Sequence, residues 1–123
     1  MKVKTSGSII CFNFESEKFL GLSKICNNLG IRVREIPKEE YSKTVGELMG
    51  FQVENESNQR NCDFPEEMMV VYNLGTNLDK LLRKMREREI DVPYKAMLTG
   101  TNQSWIPKDL VLELIEEHKQ MNK

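Results

Sequence analysis

Two short apolar runs, Ser8-Ile9-Ile10-Cys11-Phe12-Asn13 and Met68-Met69-Val70-Val71-Tyr72-Asn73, constrain this chain more than any other feature. Both are rich in strand formers, and both are too short for a helix. A strand that reads as an unbroken apolar run is buried on both faces, so it needs a layer of structure on each side of its sheet. Each run ends in an aromatic residue and Asn, and each is followed by residues at helical spacing. In the first half these are Phe19, Leu22, Cys26 and Leu29, with Asn28-Leu29-Gly30 as the stop. In the second they are Leu78, Leu81, Leu82 and Met85, with Thr76 and Asp79 spaced like a capping box.

A second, more polar strand follows each helix. Ile31-Arg32-Val33-Arg34-Glu35 alternates as a half-buried strand does, and Tyr94-Lys95-Ala96-Met97-Leu98-Thr99 is its counterpart. Pro37 opens a segment, Lys38 to Gly50, where Tyr41, Val45, Leu48 and Met49 predict a helix. Pro107, Leu110, Val111, Leu114 and Ile115 predict a closing helix running to about residue 121. The two late helices share Val-x-Glu-Leu, at Val45-Gly46-Glu47-Leu48 and Val111-Leu112-Glu113-Leu114. Residues 8–50 and 67–121 therefore read as two βαβα halves, and a duplication is the simplest account. Residues 51–66 form a polar linker between them.

Strand polarity sets the expected order. The apolar strands belong in the middle and the polar ones at the edges, which gives 2-1-3-4, and right-handed crossovers within each half suit it. The expectation is an α/β protein with one mainly parallel sheet, all four strands running the same way, and helices on both faces. A ferredoxin-like α+β fold is the rival, but its βαββαβ order omits the extra helix between the halves.

At 123 residues the chain fits one domain. Its 18 basic and 19 acidic side chains nearly cancel, so no charge excess favours nucleic acid or an anionic membrane, and the basic stretch from Arg83 to Arg88 is diluted by glutamate. No apolar run approaches a bilayer's width, and residues 1–7 lack a signal core, so a cytoplasmic location is expected. Cys11, Cys26 and Cys62 fit neither a disulfide framework nor metal-ligand spacing. They read as reduced thiols, with Cys62 the most exposed. No phosphate-binding glycine loop occurs, and no cofactor or metal is expected. His118 is the sole histidine and continues an apolar stripe, which suits a half-covered helix terminus better than catalysis.

In a parallel sheet a ligand favours the crevice beyond the carboxyl ends of the strands. Asn13 and Asn73 would converge there, followed by Glu15-Ser16 and Gly75-Thr76-Asn77, although asparagines also simply turn the chain. The densest polar cluster is Thr99-Gly100-Thr101-Asn102-Gln103-Ser104-Trp105, which leads into the last helix. Its backbone N–H groups, hydroxyls and amide could hold an anion, with Lys95 adding charge. The plainer account is capping by Thr, Asn and Ser, and a core role for the single Trp.

Lys95-Ala96-Met97-Leu98-Thr99-Gly100-Thr101-Asn102, with Trp105 three residues on and Glu113-Leu114 and Glu117-His118 in the last helix, resembles a prokaryotic family, domain-of-unknown-function family 3783. That family's stretch runs Lys-Ala-Val-Leu-Thr-Pro-Thr-Asn. Here Gly100 stands where Pro is usual, and Ile106-Pro107 where Thr-Leu is usual. The resemblance covers the chain from Met68 on and implies no activity.

No nucleophile, base and oxyanion donors come together in the sequence, so a non-catalytic binding or protein-interaction module is the leading expectation. A homodimer or a small anionic ligand remains compatible with it. The alternative is a small enzyme or anion-binding domain using Thr99 to Trp105. Lys95, Thr101, Asn102, Asn13 and Asn73 gathered about one pocket would favour the alternative.

Overall fold

A computed structural model describes residues 7–53 and 61–121. The first half contains β1 (Ser8–Phe12), α1 (Ser16–Leu29), β2 (Arg32–Glu35), a 3₁₀ turn at Lys38–Glu40 and α2 (Val45–Leu48). The second half repeats that order with β3 (Met68–Tyr72), α3 (Asn77–Glu87), β4 (Tyr94–Met97), a 3₁₀ turn at Asn102–Ser104 and α4 (Pro107–Met121). The strands form one four-stranded sheet in the order β2-β1-β3-β4, as the apolar pattern requires. Ile9, Ile10, Cys11, Phe12 and Met68 to Val71 are buried at its centre.

Strand direction differs from the expectation. β1 and β2 are parallel, as are β3 and β4, but β1 and β3 run antiparallel, with Ser8 opposite Tyr72 and Phe12 opposite Met68. The sheet is mixed, not all-parallel, and the reason lies in residues 51–66. Phe51 packs edge-on against Tyr72, at ring centroids 5.0 Å apart, which places it at the end of the sheet where β1 begins. Phe64 lies against Phe12, 5.9 Å away, at the opposite end. Phe51 and Phe64 therefore lie at opposite ends of the sheet, and β3 starts where β1 finishes. Residues 54–60 of the expected linker lie outside the described residues.

The helices follow from that reversal. Crossovers in βαβ units are nearly always right-handed. Two units whose first strands are neighbours then put their helices on the same face only when those strands are antiparallel. α1 and α3 do share a face, over Ile9, Cys11, Met69 and Val71, with Leu22, Ile25, Leu81 and Met85 in a common core. α2 and α4 cover the other face, where Ile10, Phe12, Met68 and Val70 meet Val45, Leu48, Leu110, Val111 and Leu114.

Two local expectations change as well. Lys38 to Gly50 is not one helix but a 3₁₀ turn followed by the four-residue α2, because Thr44 interrupts it. Thr44 Oγ1 accepts from the Glu47 amide at 3.1 Å while the Glu47 carboxylate accepts from the Thr44 amide at 3.0 Å, a complete capping box that starts a new helix. Thr76, in contrast, caps α3 without a side-chain hydrogen bond. The expected linker also contributes to the core, through buried Phe64.

Candidate functional site

Antiparallel β1 and β3 remove the crevice in which Asn13 and Asn73 were expected to meet. The two residues follow neighbouring central strands that finish at opposite ends of the sheet. Five paired residues at about 3.4 Å each separate those ends by roughly 17 Å. Both asparagines adopt the left-handed region, at φ 65° and 59°, which Asn tolerates better than other residues bearing a Cβ. Asn13 uses its side chain to hold the chain together. Its Nδ2 donates to the carbonyls of Phe64 at 2.7 Å and Glu66 at 2.8 Å, and its Oδ1 accepts from the Tyr41 hydroxyl at 3.1 Å. Asn73 is exposed beside Gly7, whose φ of 104° and close approach to the Asn73 and Tyr72 carbonyls leave no room for a Cβ.

The Thr99 to Trp105 segment is organised around Asn102, only 7% exposed. Asn102 Oδ1 accepts from the Thr99 amide at 2.9 Å, Nδ2 donates to the Met97 carbonyl at 3.0 Å, and the Asn102 amide donates to Thr99 Oγ1 at 3.0 Å. Leu98 donates its amide to Val71 of β3, so the alternation of a strand turns the polar groups of Met97 and Thr99 outward. The Asn102 carboxamide therefore bonds the strand edge as a peptide of a neighbouring parallel strand would. The loop also docks on α2. The Trp105 carbonyl accepts from the Val45 amide at 2.8 Å, and Gly46 lies so close to Gln103 that a Cβ there would stand 2.8 Å from its carbonyl oxygen.

Lys95 does not join this loop. Its Nζ donates to the Val92 carbonyl at 2.7 Å, at the other end of β4. Thr99 and Thr101 are exposed, and Trp105 is half-buried against the α4 side of the core. Of the seven candidates, the structure brings Thr99, Thr101, Asn102 and Trp105 together and separates Lys95, Asn13 and Asn73 from them. His118 is exposed, with its ring tilted against Tyr94 at 4.9 Å.

A cluster not singled out in the sequence forms at the Asn13 end. Phe12, Tyr41 and Phe64 pack as three rings, and Lys38 lies over the Tyr41 ring, 4.9 Å from its centroid, while paired with Asp63. Burial pushes the Tyr41 hydroxyl up to about 12, and the Lys38 ammonium holds the exposed Asp63 carboxyl below its usual range. These residues come from sequence-distant segments, and no local spacing announces them. Thr44 and Glu47 were legible, since Thr-x-x-Glu ahead of an apolar residue is the capping-box pattern. Burial raises both core thiols as well, Cys26 to about 12 and Cys11 further, which leaves them protonated and unreactive.

The architecture defines a three-layer α/β protein with a mixed sheet. Residues 74–121 match the model of a family described as Domain of unknown function (DUF3783), so the resemblance carried by the second half holds. No curated protein and no solved structure matches the chain. Among the described residues, no helix is long and apolar enough to cross a membrane.

Proposed function

We propose that this chain is a non-catalytic protein-interaction module of the cytoplasm. The observation that carries the reading is the use of Asn102. Both ends of its carboxamide, and its own amide, are committed to Thr99 and Met97. The group best placed to receive a ligand therefore serves the backbone, and Lys95 is held away by Val92. The dispersal of Asn13 and Asn73 to opposite ends of the sheet supports the same reading, since catalysis needs groups that converge on one reacting atom. The repeated element order also fits a duplicated βαβα unit.

Thermal denaturation against a panel of phosphate and carboxylate metabolites tests it. Neither the wild type nor Thr101→Ala/Asn102→Ala is expected to gain melting temperature from any of them. A ligand that raises the wild type by several degrees and leaves the double variant unmoved would replace this reading with an anion site at the loop.

A further inference from the structure

The two sheet edges are built differently, and the difference assigns them different roles. On β4, outward-facing backbone groups belong to Lys95, Met97 and Thr99. Asn102 already bonds the Met97 carbonyl and the Thr99 amide. The register left to a second β4 places Lys95 opposite Lys95 of the copy, and like charges directly opposite are unfavourable. β4 is a closed edge, blunted in the way natural sheets avoid uncontrolled pairing.

On β2, Arg32 and Ile36 donate their amides inward, to Gly7 and Cys11. Alternation turns the N–H and C=O groups of Val33 and Glu35 outward, where no described residue bonds them. Arg32 and Arg34 lie on the face of β2 covered by α2, both exposed. Arg34 touches the Leu48 carbonyl at 3.3 Å and approaches Glu40 at 3.6 Å, and no described residue forms an ion pair with Arg32. A groove of about 670 Å³ runs beside this edge, with Ile31, Val33, Leu48 and Met49 in its walls.

A second copy does not fit this edge. An antiparallel β2 pair uses Val33 and Glu35 in one of three registers, and each sets like charges face to face: Arg32 against Arg34, Arg34 against itself, or Glu35 against itself. The closed β4 of another molecule offers no better match. We infer that β2 is a docking edge for an extended acidic segment of another protein, which adds as a fifth strand. Its carboxylates would face Arg32 and Arg34, and an apolar residue between them would lie beside Val33. Main-chain hydrogen bonds supply the attachment and the two arginines the selectivity. This inference rests on the interaction-module reading and names its partner chemistry.

The test is titration of the full-length, ¹⁵N-labelled chain with an end-blocked decapeptide alternating glutamate and valine, against its lysine–valine counterpart. The acidic peptide is expected to shift the Val33 and Glu35 amides and slow their hydrogen exchange, leaving Lys95 and Met97 unmoved. Glu35→Pro removes an outward donor without touching the ladder to β1, and should weaken the response at least tenfold at unchanged melting temperature. Arg32→Glu/Arg34→Glu should exchange the preference to the lysine peptide. Equal response to both peptides, or shifts confined to β4, would overturn the docking edge. Either result leaves the broader reading to the metabolite panel, which fails separately.

Discussion

The two halves repeat one order of elements yet finish their edge strands by different means. After β4, the Asn102 carboxamide occupies the position of a neighbouring strand and closes the edge. After β2, the residue in the place of Thr99 is Pro37, which has no N–H to offer, and no described residue bonds the outward groups of Val33 and Glu35. The final layers differ too. α4 is a full 15-residue helix, whereas the first half has the four-residue α2 and the Phe12-Tyr41-Phe64 ring cluster in its place. One half covers its sheet with a regular helix, and the other with aromatic side chains brought from three segments.

If the rings do the work of a helix in the first half, removing one should cost as much as a large core deletion. Phe64→Ala is expected to lose about 3–5 kcal/mol of stability, measured by urea unfolding. A loss below about 1 kcal/mol would show that residues 61–66 merely rest on the core. Asn102→Ala probes the second half. It leaves the Thr99 amide and the Met97 carbonyl without partners, at a cost of roughly 2 kcal/mol. It should also speed hydrogen exchange at Thr99 while leaving Val33 as it was, and equal acceleration at both edges would contradict the asymmetry.

The smallest effect near neutrality is shared by the halves' common core. Cys11 and Cys26 remain protonated in the fold at pH values where the unfolded chain's thiols ionise, so unfolding releases protons above about pH 9. Their contribution is complete below that point and declines as pH rises toward about 12 for Cys26, with Cys26 and Glu35 adding to the burial effect at Cys11. The urea midpoint should fall between pH 9 and 11 and flatten in Cys11→Ala/Cys26→Ala. An identical fall in the double variant would assign it elsewhere.

Much of this was legible in the residues. The apolar runs at Ile9 and Met68 identified the central strands, and the polar alternation around Val33 and Lys95 identified the edges. The stripe from Leu110 to Ile115 gave α4 its face, and the cluster at Thr99 to Trp105 was recognisable as a place where side chains engage backbone. Its purpose was not, because Asn102 acts through a neighbouring strand's geometry that no spacing records. The three-ring cluster was hidden for a similar reason, as its members are separated by tens of residues.

By itself, then, the sequence determined the α/β class, the strand order and the layers, since burial on one face or two writes itself into apolar spacing. Only the tertiary structure decided that β3 runs against β1. A strand buried on both faces has the same pattern read in either direction, so apolarity is silent on polarity of the chain. The sense was set by where Phe51 and Phe64 found their partners, Tyr72 at one end of the sheet and Phe12 at the other. That single choice put α1 and α3 on one face and parted Asn13 from Asn73.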